Sequence, residues 1–147
     1  MQVDAMLCNH AEAAEGKLYL NGAGVSICWV GAEPPHLVQL ALGAIIRVPY
    51  TATNQPHTLT VRLLDEDGHP VAPWVPPGAE AMPPVEAANS FTVGRPPQLA
   101  PGEDQSLPFA MQFQLAVPSP GAYTFELEID GEVARTLPFR AIVPPPT

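Results

Sequence analysis

The sequence predicts an all-β fold, an antiparallel β-sandwich of the immunoglobulin-like or jelly-roll-like kind with eight or nine short strands. Three observations carry this. Apolar residues recur with a period of two, not 3.6. Asx-Gly pairs sit between the periodic runs, where hairpins need positive φ. Proline fills 20 of 147 positions, against a usual share of about 5%. Proline breaks helix interiors and is excluded from central strands. The strands are therefore expected to be short, with prolines at their ends.

The eight or nine strands are expected among ten candidate segments, 3–9, 17–20, 24–30, 37–48, 57–65, 70–74, 88–94, 107–117, 121–129 and 133–142. Phe109, Met111, Phe113, Leu115 and Val117 alternate with Ala110, Gln112, Gln114 and Ala116. Tyr123, Phe125, Leu127 and Ile129 alternate with polar residues, and so do Leu59, Val61 and Leu63. Each run has one dry and one wet face, because successive side chains of a strand point to opposite sides. The segment from Leu37 to Val48 is more continuously apolar. Leu40, Leu42, Ala44, Ile46 and Val48 share one face, with Gln39 and Arg47 on the other. Pro34-Pro35 before it, Pro49 after it and its Ile-Ile-Arg-Val ending select a long central strand over a helix. Asn21-Gly22, Asp67-Gly68 and Asp130-Gly131 are the turn signals, and Pro118-Ser119-Pro120-Gly121 separates two further strands. The length suits one domain, residues 1–143, with 144–147 as a proline-rich tail.

Composition excludes several classes of function. Lys+Arg number 6 and Asp+Glu 15, a net charge of -9. A nucleic-acid binder needs a basic face to displace counterions from phosphates, and an anionic membrane surface attracts basic segments. Neither partner is expected. The N-terminus lacks the basic and apolar regions of a signal peptide. The longest apolar stretch, Leu40 to Ile46, is far short of the ~20 residues of a membrane helix. A cytoplasmic setting is expected. There Cys8 and Cys28 are reduced, buried hydrophobes; a disulfide between neighbouring strands is the other arrangement their spacing permits.

A resemblance emerges from several pieces in order. These are Asn9-His10-Ala11, then Gly16-Lys17-Leu18-Tyr19-Leu20-Asn21-Gly22-Ala23-Gly24, then Val48-Pro49, Thr53-Asn54 and Pro56-His57. Leu64-Asp65-Glu66-Asp67-Gly68 and Val93-Gly94-Arg95-Pro96-Pro97 complete the set. Together they resemble a family of short, uncharacterised bacterial proteins common in high-GC actinobacteria. The resemblance covers most of the chain and implies a β-rich fold. It carries over no activity and no catalytic residue.

The residues themselves supply few chemical constellations. Cys8, His10, Cys28 and His36 have zinc-ligand chemistry, but no Cys-x-x-Cys or His-x₃-His pair joins them. Core cysteines and a hydrogen-bonded histidine account for them without a metal. Asp65-Glu66-Asp67-Gly68 is similar to the start of a calcium loop, yet the later ligands are missing; an acidic hairpin turn is the simpler reading. His10, His36, His57 and His69 are the histidines, and Ser26, Ser90, Ser106 and Ser119 the serines. No serine lies in a Gly-x-Ser-x-Gly elbow. Gly22-Ala23-Gly24 is followed by strand-like sequence and not by the helix a dinucleotide loop requires. No enzyme activity, metal or cofactor is expected.

A binding role remains. The segment Pro73 to Ala87 is too long and proline-rich for a bare connection. It carries Trp74, Met82 and Val85 with Glu80 and Glu86, a mixture of apolar anchors and polar rim. Trp74 either offers an exposed platform or folds back over a sandwich edge. The expected function is a non-catalytic interaction or structural module that binds a protein partner or itself. A small-ligand or carbohydrate-binding module is the alternative.

Overall fold

The computed structural model describes residues 1–146; Thr147 of the expected tail lies outside the described residues. The fold is all-β. In chain order its strands are β1 (Gln2–Cys8), β2 (His10–Ala14), β3 (Lys17–Asn21), β4 (Ile27–Trp29) and β5 (His36–Val48). A 3₁₀ turn at Tyr50–Ala52 follows. Then come β6 (Pro56–Asp65), β7 (Glu86–Thr92), β8 (Gln105–Val117), β9 (Gly121–Ile129) and β10 (Glu132–Ile142). Strands β1-β5-β8 form one antiparallel sheet. A second sheet has the order β4-β10-β9-β6-β7 and is antiparallel except for the β4–β10 pair. Strands β2 and β3 form a separate hairpin. No helix among the described residues is long and apolar enough to cross a membrane.

The two larger sheets share one core. Leu40, Leu42, Ala44, Ile46 and Val48 of β5 lie in the same buried cluster as Leu59, Val61 and Leu63 of β6 and Tyr123, Phe125, Leu127 and Ile129 of β9. The alternation of these strands thus has the expected phase. Phe125 marks the centre, with its ring centroid 4.6 Å from Phe113 and 5.5 Å from Phe139. Phe109, Met111 and Leu115 are only half-buried, because β8 is the outermost strand of the smaller sheet.

Three expectations need correction. Strands β5 and β8 each run 13 residues, so proline does not keep every strand short. Pro108 lies in β8, which pairs on one side only. Pro138 lies in β10 just before the part that β4 covers. At both positions the missing N–H leaves no gap in a ladder that is paired on both sides. The expected strand 70–74 is not a strand. Gly68 closes a turn on Asp65, but only a bridge between Leu64 and Pro70 follows, since Pro70 and Pro73 cannot donate to a ladder. Finally, the segment 10–21 holds a whole hairpin, where only 17–20 was expected as strand. Its turn is Glu15-Gly16, at φ of 53° and 72°, the mirror-image geometry that suits strand twist. Asn21-Gly22 only ends β3. The Asp130-Gly131 turn between β9 and β10 is as expected, with φ of 53° and 86°.

The hairpin explains why the middle of β5, Leu40 to Ala44, is apolar on both faces. It lies across the outer face of the three-stranded sheet. There Met6, Gly43 and Ala110 are in register, as are Cys8, Ala41 and Gln112. Small side chains leave room for a second layer: Cys8, Ala11 and Ala41 form a separate buried cluster. The Gln112 side-chain amide donates to the Ala11 carbonyl, and Leu18 and Leu20 lie over Gly43. A Cβ at Gly43 would overlap the tip of Leu20. Gly43→Val is therefore expected to lift the hairpin while the sandwich persists, at a cost of ~1–3 kcal/mol. Hydrogen exchange checks this: amides of β2 and β3 should lose protection while those of β9 keep theirs. Uniform loss across both would show that the hairpin is part of the main cooperative unit.

Candidate functional site

The proline-rich segment bridges the two sheets. The Val71 N–H donates to the Leu63 carbonyl at 3.0 Å, Val85 N–H to Val71 at 2.8 Å, and Trp74 N–H to Ala116 of β8 at 2.8 Å. Trp74 is half-buried. The segment thus lies along the end of an otherwise open edge of β8, a common way to protect a sheet edge. The five residues expected to form a surface are not gathered into one. Val85 packs against the core. Glu86 begins β7 and pairs in register with Arg62, whose guanidinium lies 3.5 Å from its carboxylate. That guanidinium also holds Glu128 at 2.6 Å. Glu80 and Met82 are exposed on the loop itself.

The groups with metal or catalytic chemistry are also separated or engaged. The Cys8 thiol is buried and donates to the Ala41 carbonyl, and burial pushes its pKa up. Burial does the same to Cys28, which is half-buried and free. His36 Nδ1 lies 2.8 Å from the Gly31 carbonyl. Among the described residues, only Asp65, Asp67 and His69 bring ligating atoms within 4.8 Å of one another. There Asp65 Oδ1 accepts the N–H groups of Asp67 and His69, both at 2.9 Å. This is an acidic turn tip, three donors where calcium takes six to eight.

His57 is the one buried imidazole with a carboxylate partner. Nδ1 donates to Asp130 Oδ2 at 2.7 Å, and Nε2 donates to the Ala52 carbonyl at 2.7 Å. Both partners only accept, so the two contacts together suit the doubly protonated ring. Burial pulls its pKa down, but the Ala52 carbonyl and Asp130 together push it up further. Asp130 is held below the usual carboxylate range by His57 and by the Thr58 N–H. With both ring nitrogens occupied, His57 has no free nitrogen to act as a base. It pins the 3₁₀ turn to the β9–β10 turn.

One exposed apolar patch lies elsewhere, at β4. This strand pairs in parallel with the end of β10, Ile27 with Arg140, Cys28 with Ala141 and Trp29 with Ile142. Arg140 N–H donates to the Ser26 carbonyl and Val30 N–H to Ile142, both at 2.9 Å. Alternation turns Cys28 to the core. Ile27 and Trp29 face out, 42% and 60% exposed, near Leu37 at 63%. Together with Asn9, Ser26 and Gln39 they line a cleft of about 590 Å³. A second cleft of about 450 Å³ adjoins at Ser26 and Ile27 and includes Thr124, Pro138 and Arg140. No Asp or Glu lines either cleft, in a chain with 15 acids.

The model of a family of unknown function, DUF6941, matches residues 3–142. The chain belongs to the DUF6941 family. No curated protein matches it. The DUF6941 match covers β1 from its second residue and every later strand to the end of β10, including the bridging loop and the Trp29 flank. Pro144–Pro146 follow it. Membership accords with the resemblance seen in the sequence, and the β-rich fold it implied is the one observed. Sequence reading of this DUF6941 member noted Trp29 but placed the surface at Trp74. In the run Val25-Ser26-Ile27-Cys28-Trp29-Val30 the uniformly apolar set is Val25, Ile27 and Trp29, while the other contains Ser26, so alternation by itself would turn Ile27 and Trp29 inward. The one available signal was the pair of glycines, Gly24 and Gly31, that confine the strand to a short edge.

Proposed function

We propose that the chain is a non-catalytic interaction module that self-associates through the flank bearing Ile27, Trp29 and Leu37. The observation that carries this reading is the coincidence of exposed large apolar side chains with a surface free of acids on an otherwise acidic protein. Interface centres are depleted in charge and enriched in aromatic residues, and like charges brought together oppose association. A net charge of -9 would repel a second copy on most faces and least on this one. The free thiols of Cys8 and Cys28 support a reducing, cytoplasmic setting for it.

Sedimentation velocity across a hundredfold range of concentration tests the reading. The native chain should move from monomer to dimer, and Trp29→Ala should weaken the dimer ~tenfold or more, as truncating a central anchor does. At concentrations where both chains are monomeric, its melting temperature should be unchanged. A native chain that stays monomeric throughout would refute self-association.

A second reading rests on the cleft itself. An exposed indole beside the amides of Asn9 and Gln39 offers the apolar face and hydrogen-bonding groups that a sugar ring requires. Glycan-array binding lost in Gln39→Ala, with association unaffected, would favour it.

A further inference from the structure

We infer that the occupant of the Trp29 flank is the proline segment Pro144–Pro146 of a second copy of this chain. The inference rests on the self-association reading and names what is exchanged.

Position comes first. Ile142 is paired with Trp29, and its carbonyl accepts the Val30 N–H. The tail therefore leaves the sandwich from the very strand on which the flank is built. Val143 still packs against the core, while Pro144, Pro145 and Pro146 are exposed. Trp29 is also 60% exposed, so the chain's own tail does not cover it. Two copies related by a two-fold axis at this edge would each carry a tail to the other's flank, which is a closed, self-complementary contact.

Chemistry comes second. Consecutive prolines favour a polyproline II helix, whose three residues span about 9 Å. Such a segment has no N–H to satisfy and little conformational entropy left to lose. Grooves that recognise it are lined by aromatic side chains. Trp29 supplies the aromatic face. Asn9, Ser26 and Gln39, on the same cleft, supply donors for the proline carbonyls, which have no partner within such a helix. Pro144, Pro145 and Pro146 have no charged side chain, and neither does the lining of that cleft, so no ionic side chain has to be desolvated.

The test uses the full chain with Trp74→Phe, so that indole emission reports Trp29 alone. Three variants are made in that background: deletion of residues 144–147, replacement of Pro144, Pro145 and Pro146 by Ser, and Trp29→Ala. Sedimentation velocity should show the dimer weakened ~tenfold or more in all three. A peptide with the sequence of residues 143–147 should shift Trp29 emission and compete with the dimer. If the tail variants dimerise as tightly as the parent while Trp29→Ala does not, the flank is a contact but the tail is not its occupant, and the inference is overturned. If Trp29→Ala also leaves the dimer intact, the chain associates through another surface, and the reading that places the contact on this flank falls with the inference. At concentrations where parent and variants are monomeric, melting curves of the tail variants should match the parent, because these prolines lie outside the core.

Discussion

Replacing Phe125 with Ala lowers the stability of the sandwich by ~3–5 kcal/mol, the range for deleting a buried aromatic and leaving a cavity. Phe125 has no exposed surface. Its ring meets Phe113 from the opposite sheet and Phe139 from the neighbouring strand. These partners sit on paired backbones, so they cannot move far to fill the space. The loss is a large share of the ~5–15 kcal/mol that holds a domain folded. Urea unfolding should show a much lower midpoint with the slope unchanged. Phe91→Ala, at a half-buried position on the edge strand β7, should cost less. Equal midpoints for Phe125→Ala and the native chain would mean that the two sheets do not meet at Phe125.

The next largest effect is expected at His57, and it depends on pH. His57→Ala leaves the Ala52 carbonyl without its donor and removes the link to Asp130, at a cost of about 2–3 kcal/mol near pH 6. The neighbouring Arg95 donates to Thr53 Oγ1 and to the Tyr50 carbonyl, so the turn keeps a second anchor and the fold survives. The sign of the pH dependence follows from two opposite shifts. The folded pKa of His57 is raised. Its contribution is fully present below the unfolded value of about 6.5 and is lost as pH rises through the folded value. The folded pKa of Asp130 is lowered. Its contribution is present above the unfolded value of about 3.9 and is lost as pH falls through the folded value. Asp130→Asn separates this pair from the rest of the chain, since Asn keeps the Oδ1 acceptor for Thr58 and tolerates the φ of 53°. The stability gap between the native chain and Asp130→Asn should be widest between about pH 4 and 6.5 and shrink on both sides. Parallel curves from pH 4 to 9 would show that no charge pair forms.

Much of this fold is legible in the order of residues. Tyr123, Phe125, Leu127 and Ile129 alternate with polar residues, and a strand that buries one face can satisfy that pattern in one phase only. Asp130-Gly131 marks its hairpin for the same kind of local reason, because few residues accept positive φ. The Glu15-Gly16 turn was illegible because Glu carries no such preference. There the twist of the hairpin imposed the conformation on an ordinary residue. Segment 70–74 erred the other way: an apolar stretch beside a turn signal, denied its ladder by Pro70 and Pro73. The expected binding loop was legible as an irregular segment, but whether Trp74 faced water depended on the edge of β8, more than 40 residues on.

What the sequence determined by itself is therefore local: strand phase, the Asp130-Gly131 turn, the all-β class and the acidic balance of charge. These follow from side-chain alternation, backbone sterics and net charge, none of which needs a partner strand. Only the tertiary structure decided which apolar face is left over. Ile27 and Trp29 face out because Cys28 meets the core and β4 joins β10 at the edge of its sheet. The middle of β5, Leu40 to Ala44, is buried on both faces because a hairpin from residues 10–21 lies across its small side chains. Burial is a property of what packs against a residue, and in a sandwich that neighbour comes from a distant part of the chain.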